Sequence, residues 1–425
     1  GTLGVQHASM SIFQAYNTGT PMLLIVGRDV GFIQAHTADD MAAMCRSFTK
    51  WDAQPTTLSE CIDTLHEAYR QAVTPPTGPA MVVIDIELQK EEAQDFDLPR
   101  FRPAVIEGVD TATAKDIAEK LLNASNPRLE TGMFRTPKGI EAAVELAELI
   151  GASTSTTSTG GPMGFPQRHP LCGPGAESNY DYVLGLEADA SDLSLKRPIV
   201  NSLTAQRDVM GIGFGSLRED YVPAPPGSEP TPLNRNPRQR QGTELKVDAQ
   251  ASIPLIIAEL SRLIAPAKQR EIEQRKARHA RANRETFLTA LRVAVEEKKK
   301  GWDLSPVSTA RIYAELWPLI MNEDWCLASP SNFSGAHHRE LWEHNKPYSF
   351  LGTQGAGGMG YGPGACAGAA LAARSRGRFV VNVQPDGDLN YSPGALWTAV
   401  HHELPMLTVM HNNRAWHQEY MFIQY

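Results

Sequence analysis

The sequence predicts an α/β protein in which parallel sheets are flanked by helices, and two observations predict it. Short, wholly apolar runs, such as those beginning at Pro21 and Ala80, have the length of buried strands. Longer segments between them carry the apolar spacing of amphipathic helices. Helices that alternate with apolar strands are typical of parallel sheets covered on both faces.

The first region of the chain alternates in this way. Its patterns predict the following elements: helices at Ala8–Tyr16, Asp39–Thr49 and Thr57–Ala72, and strands at Pro21–Gly27 and Ala80–Ile86. Residues 89–109 are polar and contain prolines, which suits a linker between domains.

A second alternating region follows at residues 110–265. Its patterns predict helices at Thr113–Leu122, Lys138–Ile150 and Ala251–Ile264, and a strand at Tyr182–Leu186. Gly151 is placed to end the second of these helices. The stretch Asp220–Gly242 is rich in Pro and Arg and is predicted to be a loop.

Residues 266–301 predict one long helix with a high density of charge. Basic side chains recur on its successive turns: Arg270, Arg275, Lys276, Arg278, Arg281 and Arg284. The pattern is typical of a solvated helix that connects two domains, and a basic interaction face is the alternative interpretation.

A third alternating region occupies residues 302–425. Its patterns predict, in order, a helix start at Ser305-Pro306, a strand at Asp324–Ala328, a glycine-rich loop at Gly352–Gly364, a helix at Ala365–Arg374, a strand at Phe379–Val383, a helix start at Ser392-Pro393 and a strand at Met406–Met410.

The composition argues against nucleic-acid binding, binding to anionic membranes and membrane-spanning segments. The formal net charge of −8 leaves no basic footprint for nucleic acid or an anionic membrane, and no apolar run could cross a bilayer. Five scattered cysteines without a C-x-x-C pair favour a reducing compartment. We therefore expect a cytoplasmic protein, although an organellar one is compatible with the sequence.

Two polar groups follow neighbouring predicted strands. Asp386-Gly387-Asp388 follows the strand that begins at Phe379, and Asn412-Asn413 follows the strand that begins at Met406. Ligands of open α/β sheets bind outside the carboxyl ends of the strands, and adjacent strands lie roughly 5 Å apart. The Asp386 carboxylate and the Asn413 amide can therefore share one Mg²⁺. A helix opening at Ser392-Pro393 would favour a phosphate at the same place.

The segment from Gln384 through Asn413 resembles the signature of thiamine-diphosphate-dependent enzymes, with Pro385 in place of the usual leading glycine. The resemblance implies that Asp386 and Asn413 bind Mg²⁺ through their side chains, that Ala415 binds it through its carbonyl, and that Gly387 and Asp388 belong to the cofactor site.

The run Gly355–Gly362 resembles the family loop that approaches the cofactor. The resemblance implies that Met359 wedges beneath the cofactor and that the Gly357 carbonyl accepts a hydrogen bond from it. It further implies three domains with parallel sheets flanked by helices: residues 1–88 as the later part of a pyrimidine-binding domain, 110–265 as a middle Rossmann-like domain and 302–425 as the first part of a diphosphate-binding domain.

Among subfamilies the arrangement is most similar to acetolactate synthase-like proteins. This implies decarboxylation of a 2-oxo acid, with or without carboligation, in a homodimer or homotetramer whose active sites lie between subunits. The activating glutamate of the family is expected upstream of Gly1. His417 and Gln418 are candidate catalytic residues near the reacting carbon of the substrate, and FAD binding in the middle domain stays open.

Three alternatives are weighed against this hypothesis. An activity like that of oxalyl-CoA decarboxylase or 2-hydroxyacyl-CoA lyase would replace the 2-oxo acid with an acyl-CoA. An NAD-dependent oxidoreductase would use Gly355–Gly360 as its G-x-G-x-x-G fingerprint and Asp386 as its ribose ligand. A non-catalytic protein could retain the fold without turnover.

Overall fold

A computed structural model of the chain describes most of its residues. The described ranges are 1–29, 37–92, 106–156, 162–177, 179–188, 208–212, 243–330, 337–353, 357–416, 420–421 and 423–424. They form two compact units, an amino-terminal unit up to Glu107 and a carboxyl-terminal unit from Gly108 onward. All strand pairings among these residues are parallel, and helices accompany each sheet, so the predicted fold class is confirmed.

The amino-terminal unit is a three-stranded sheet with the strand order β1-β3-β2. Its elements are α1 (Thr2–Thr18), β1 (Met22–Arg28), β2 (Trp51–Ala53), α2 (Leu58–Val73), β3 (Pro79–Asp85) and α3 (Ile86–Lys90). Thr57 and Glu60 form a reciprocal capping box that starts α2, so that helix begins where the sequence indicates.

The predicted helix at Asp39–Thr49 is wrong. Two short 3₁₀ turns, Ala42–Met44 and Arg46–Phe48, occupy this stretch. Asp40 accepts a hydrogen bond from the Ala43 amide and pairs with Arg46, which also pairs with Asp52 on β2. These side-chain bonds compete with the helical hydrogen-bond ladder and hold the segment as turns.

The carboxyl-terminal unit contains a five-stranded sheet with the order β5-β4-β6-β7-β8. Its elements are α4 (Thr111–Asn123), β4 (Pro127–Thr131), α5 (Pro137–Ile150), β5 (Ser153–Thr156), β6 (Tyr182–Leu186), β7 (Asp208–Ile212), β8 (Thr243–Leu245) and α6 (Ala249–Leu263). Gly151 ends α5 in the left-handed conformation, as predicted. The predicted loop at residues 220–242 lies outside the described residues.

The long helix α7 (Pro266–Lys299) has one buried face and is not solvated all round. Arg275 is 1% exposed, and its guanidinium donates to the carbonyls of Ala124, Ser125 and Ile150, at the carboxyl ends of α4 and α5. The interpretation as a purely solvated connecting helix is therefore wrong for this face. Charge density alone could not show it, because the carbonyls that hold Arg275 come from distant parts of the chain.

A three-stranded sheet with the order β11-β10-β9 completes the carboxyl-terminal unit. Its elements are α8 (Thr309–Ile320), β9 (Trp325–Leu327), α9 (His337–Leu341), α10 (Tyr361–Arg374), β10 (Phe379–Pro385), α11 (Asp386–Tyr391), α12 (Gly394–His401) and β11 (Met406–His411). The helix predicted to start at Ser305-Pro306 begins at Thr309 instead, because the Ser308 hydroxyl caps it by accepting from the Arg311 amide.

The three sheets fall within residues 22–85, 127–245 and 325–411, whereas the chain separates into two compact units. The three-domain boundaries stay a prediction. A search of the described residues for a helix with the length and hydropathy of a membrane span finds no example.

Two buried histidines lie in an aromatic cluster of the carboxyl-terminal unit. His338 packs on Phe350 with ring centroids 5.0 Å apart, and His344 packs on Trp325 at 5.4 Å. Burial lowers the pKa of His338 to about 2 and that of His344 to about 4. Both side chains are therefore neutral in the folded protein at neutral pH.

This burial predicts loss of stability in acid. The unfolded chain takes up protons on these histidines near pH 6.5 while the folded chain does not, so the free energy of unfolding should fall as pH drops from about 6.5 towards 4. His344 alone should contribute a loss of about 3 kcal/mol. Urea denaturation between pH 7 and 4 measures it, and His344→Leu should flatten the profile while exposed His402→Leu leaves it unchanged. Equal slopes in all three proteins would contradict the assignment.

Candidate active site

The predicted polar residues meet at the carboxyl edge of the third sheet. Strands β10 and β11 pair in register up to Pro385 and His411, so both strands end at the same level. Asp386 is the first residue of α11, and its carboxylate Oδ1 accepts a hydrogen bond from the main-chain nitrogen of Asn413 at 3.0 Å. The structure therefore brings Asp386 and Asn413 together, as their placement after adjacent strands predicts.

The segment after β11 is folded by its own asparagines. The Asn412 Oδ1 accepts from the Arg414 amide and the Asn413 Oδ1 accepts from the Ala415 amide, each at 3.0 Å. These two Asx turns fix the backbone of the loop and leave residues 412–415 exposed.

The oxygen atoms at this edge are of the chemical types that bind a magnesium ion. Asp386 contributes a carboxylate, Asn413 an amide oxygen and Ala415 a main-chain carbonyl, and Mg²⁺ prefers oxygen ligands with one or two carboxylates. Each side-chain oxygen that accepts one hydrogen bond in the loop retains lone-pair capacity for a metal. The described residues contain no cluster of three or more His, Cys, Asp or Glu side chains that could hold a metal, at this edge or at another place, so the proposed set depends on one carboxylate with amide and carbonyl oxygens.

Asp388 connects the strand edge to the glycine-rich loop. This side chain is 3% exposed, and its Oδ1 accepts from the Gly360 amide at 2.8 Å. Gly360 has a φ of +79°, and a Cβ atom on it would lie 2.3 Å from the Cβ of Tyr391. Asp388 therefore supports the candidate cofactor site by fixing the backbone of the loop.

The loop residues predicted to approach the cofactor have different surroundings. Gly357 has a φ of +72°, and a Cβ on it would meet no atom within 4 Å, so the backbone faces open space. Met359 is half-buried. Open space over the Gly357 backbone together with a partly covered Met359 fits a loop against which a ligand could rest. Residues 354–356, which complete the predicted loop, lie outside the described residues.

Two residues at this edge were not anticipated from the sequence. Gln384 is fully buried at the end of β10, and its Nε2 donates to the Ser329 carbonyl at 2.9 Å. A Cβ on Gly362 would lie 2.3 Å from that Nε2, so a larger residue at position 362 would require the Gln384 side chain to leave this position. A polar residue inside an apolar strand pattern was the one available signal of this contact.

Trp416 covers the turn from β10 to α11. A Cβ on Gly387 would lie 2.2 Å from the Trp416 Cδ1 atom, and the indole ring is 5.6 Å from the Tyr391 ring. Gly387 thus gives space for the aromatic pair. His417 and Gln418, the candidate catalytic residues, lie outside the described residues. The helix predicted at Ser392-Pro393 is α12, which begins at Gly394.

Comparisons with known proteins agree with this geometry. Residues 333–422 match the family described as "Thiamine pyrophosphate enzyme, C-terminal TPP binding domain". The chain is 22% identical over 428 residues to "Probable acetolactate synthase 2, chloroplastic" of Oryza sativa subsp. japonica, a match that covers 97% of this chain. The chain spans 60% of the length of that curated relative.

Two solved structures share the fold. Benzoylformate decarboxylase from Polynucleobacter necessarius superimposes with a TM-score of 0.72 at 17% identity, covering 99% of this chain and 74% of that protein. The thiamine diphosphate-dependent 4-hydroxybenzoylformate decarboxylase of Rhodococcus jostii RHA1 gives 0.72 at 17% identity, covering 100% and 75%. Residues 333–422 are therefore similar to the diphosphate-binding domain of thiamine pyrophosphate enzymes, and the described chain has the fold of two decarboxylases.

Proposed function

We propose that the chain binds thiamine diphosphate through Mg²⁺ at the carboxyl edge of the third sheet, and that the protein makes or breaks a carbon–carbon bond next to a carbonyl. Asp386 and Asn413 would hold the metal through their side chains, and Ala415 would hold it through its carbonyl. The observation that carries the proposal is the 3.0 Å hydrogen bond from the main-chain amide of Asn413 to the Asp386 carboxylate, which joins the ends of the two adjacent strands that carry the proposed ligands.

The rest of the edge would position the cofactor. The buried Asp388 holds the Gly360 amide, so the loop from Gly357 to Gly360 is fixed at the end nearer the sheet and open at the other. When bound, thiamine diphosphate supplies a carbon that adds to a carbonyl and an electron sink for the bond that breaks. The protein supplies orientation and electrostatics, and in this chain those come from the strand ends and the loop.

We infer a 2-oxo acid as the substrate class. The relatives named above are an acetolactate synthase and two decarboxylases of arylglyoxylates, and the sequence resemblance indicates the same class. We therefore propose that the protein decarboxylates a 2-oxo acid, with or without carboligation. We propose that it does so as a homodimer or homotetramer whose active sites lie between subunits. An acyl-CoA substrate is the alternative to be tested beside it.

Ligand-dependent stabilisation tests the cofactor. Thiamine diphosphate with Mg²⁺ at about 100 times its Kd should add about 2.7 kcal/mol to the free energy of unfolding, which raises the Tm by several degrees. Thiamine diphosphate with EDTA is the control and should give a much smaller shift. Stabilisation by NAD alone, with no response to thiamine diphosphate and Mg²⁺, would contradict the proposal.

Release of CO₂ tests the substrate class. The protein loaded with cofactor should release CO₂ from pyruvate or benzoylformate, and chromatography of the products separates simple decarboxylation from carboligation. Release from oxalyl-CoA with no reaction of either 2-oxo acid would replace the 2-oxo acid with an acyl-CoA. Tight cofactor binding without any turnover would favour a non-catalytic role.

A further inference from the structure

The long helix α7 carries an exposed row of side chains at the spacing of a coiled-coil seam. Six positions separated by four, three, four, three and four residues are all exposed, and we call them the arginine seam: Arg270, Gln274, Ala277, Arg281, Arg284 and Leu288. Alternation of three and four residues keeps side chains on one face of a helix over several turns. The seam extends from Arg270 to Leu288, about 27 Å along the helix.

The opposite face of α7 is fixed to the protein. Its buried residues are Ile272, Arg275, His279 and Asn283. The Asn283 Oδ1 accepts from the Gly175 amide and the His279 Nδ1 accepts from the Ala176 amide. Because these contacts fix the rotation of the helix about its axis, the arginine seam has one defined orientation toward solvent.

Within the described ranges, the charges of the seam have no partners, in contrast to those on the flanks of α7. Lys268 pairs with Glu271 and Lys276 pairs with Glu273. Arg270, Arg281 and Arg284 form no ion pair or hydrogen bond with any residue that the structure describes. Arg278 and Arg292, also exposed, add positive charge beside the seam, and Glu285 is an exposed acid at its edge. This face is positive in a chain whose formal net charge is −8.

We propose that the arginine seam docks an acidic helix of another protein, with carboxylates opposite the arginines and small apolar side chains opposite Ala277 and Leu288. Guanidinium groups bind carboxylates in a two-pronged geometry, and the heptad spacing matches a helix as the partner. A second copy of the same face would oppose arginine to arginine. A nucleic-acid backbone would provide phosphates but no apolar group for Leu288, which is 51% exposed.

Two synthetic peptides test the proposal by fluorescence anisotropy on the intact protein. The first is a helical peptide with Glu at the seam spacing and Ala opposite Ala277 and Leu288, and the second has the same composition in scrambled order. The first should bind more tightly, and added salt should weaken its binding. Arg270→Gln/Arg281→Gln/Arg284→Gln should raise the Kd of the first peptide about tenfold, as expected for three exposed ion pairs.

The matched control removes the same charge from positions outside the seam. Lys268→Gln/Lys276→Gln/Lys299→Gln replaces three lysines that already pair with glutamates on α7, and it should leave the Kd nearly unchanged. Equal binding of the scrambled peptide, or equal weakening in both triple variants, would show that only net charge matters and would overturn the proposal. Tighter binding of a duplex DNA of similar charge, lost in the seam variant, would replace the acidic helix with nucleic acid.

Discussion

Replacement of Asp386 by alanine is expected to abolish Mg²⁺-dependent binding of thiamine diphosphate while the protein stays folded. The substitution removes the only carboxylate of the proposed ligand set and the acceptor of the Asn413 amide. Loss of partners that merely orient metal ligands costs 10–100-fold in affinity, so loss of this ligand should cost at least about 100-fold. Asn413→Ala, which removes a neutral oxygen ligand, should cost at least about tenfold by the same reasoning.

The variant Asp386→Asn distinguishes loss of metal binding from loss of the loop structure. An asparagine keeps an oxygen that can accept from the Asn413 amide but loses the negative charge that Mg²⁺ requires. We therefore expect its Tm without cofactor to equal that of the unaltered protein and its calorimetric affinity to fall almost as far as that of Asp386→Ala. Asp303→Ala, which removes an exposed carboxylate paired with Arg311, is the charge control. Undiminished affinity in Asp386→Asn would remove the metal assignment.

Apolar strands and capped helices could be predicted because their patterns are local. The strand Tyr182–Leu186 has the predicted bounds, and Gly151 ends α5 where the sequence places it. Strand β5 escaped prediction because it reads Ser-Thr-Ser-Thr. Ser153 and Thr154 are nevertheless fully buried, and the hydroxyl of Thr154 is satisfied by the Leu171 carbonyl. Burial of such a strand depends on an acceptor that only the tertiary structure supplies.

In the candidate site, too, some contacts could be predicted from the sequence and others could not. The approach of Asp386 to Asn413 could be predicted, because parallel strands place their carboxyl ends at one edge. The roles of Asp388 and Gln384 could not, because each depends on a contact with a glycine that lies more than 20 residues away in the chain. The glycines in the sequence indicate a loop whose backbone lies close to another group. The structure shows that Gly360 lies against Tyr391 and Gly362 against Gln384, which are residues of the protein itself.

Gly360→Ala is expected to destabilise the carboxyl-terminal unit and to weaken cofactor binding. Gly360 has a φ of +79°, and the new methyl group would lie 2.3 Å from the Cβ of Tyr391, a contact that requires the loop or α11 to move. Backbone strain and overpacking each cost about 1–3 kcal/mol, so the free energy of unfolding should fall by about 2–5 kcal/mol. The movement would also separate the Gly360 amide from Asp388, at the base of the candidate cofactor site.

Gly364→Ala is the matched control, since it adds the same methyl group four residues later. Gly364 lies inside α10, where a Cβ meets no atom within 4 Å, so alanine should stabilise the helix by about 0.5–1 kcal/mol. Urea denaturation gives both free energies, and calorimetry with thiamine diphosphate and Mg²⁺ gives both affinities. We expect Gly360→Ala to lower the free energy of unfolding and Gly364→Ala to raise it. Only Gly360→Ala should weaken cofactor binding. If both variants unfold like the unaltered protein, the close packing of the glycine loop on α11 is not present in solution, and the support that Asp388 gives to the loop loses its structural basis.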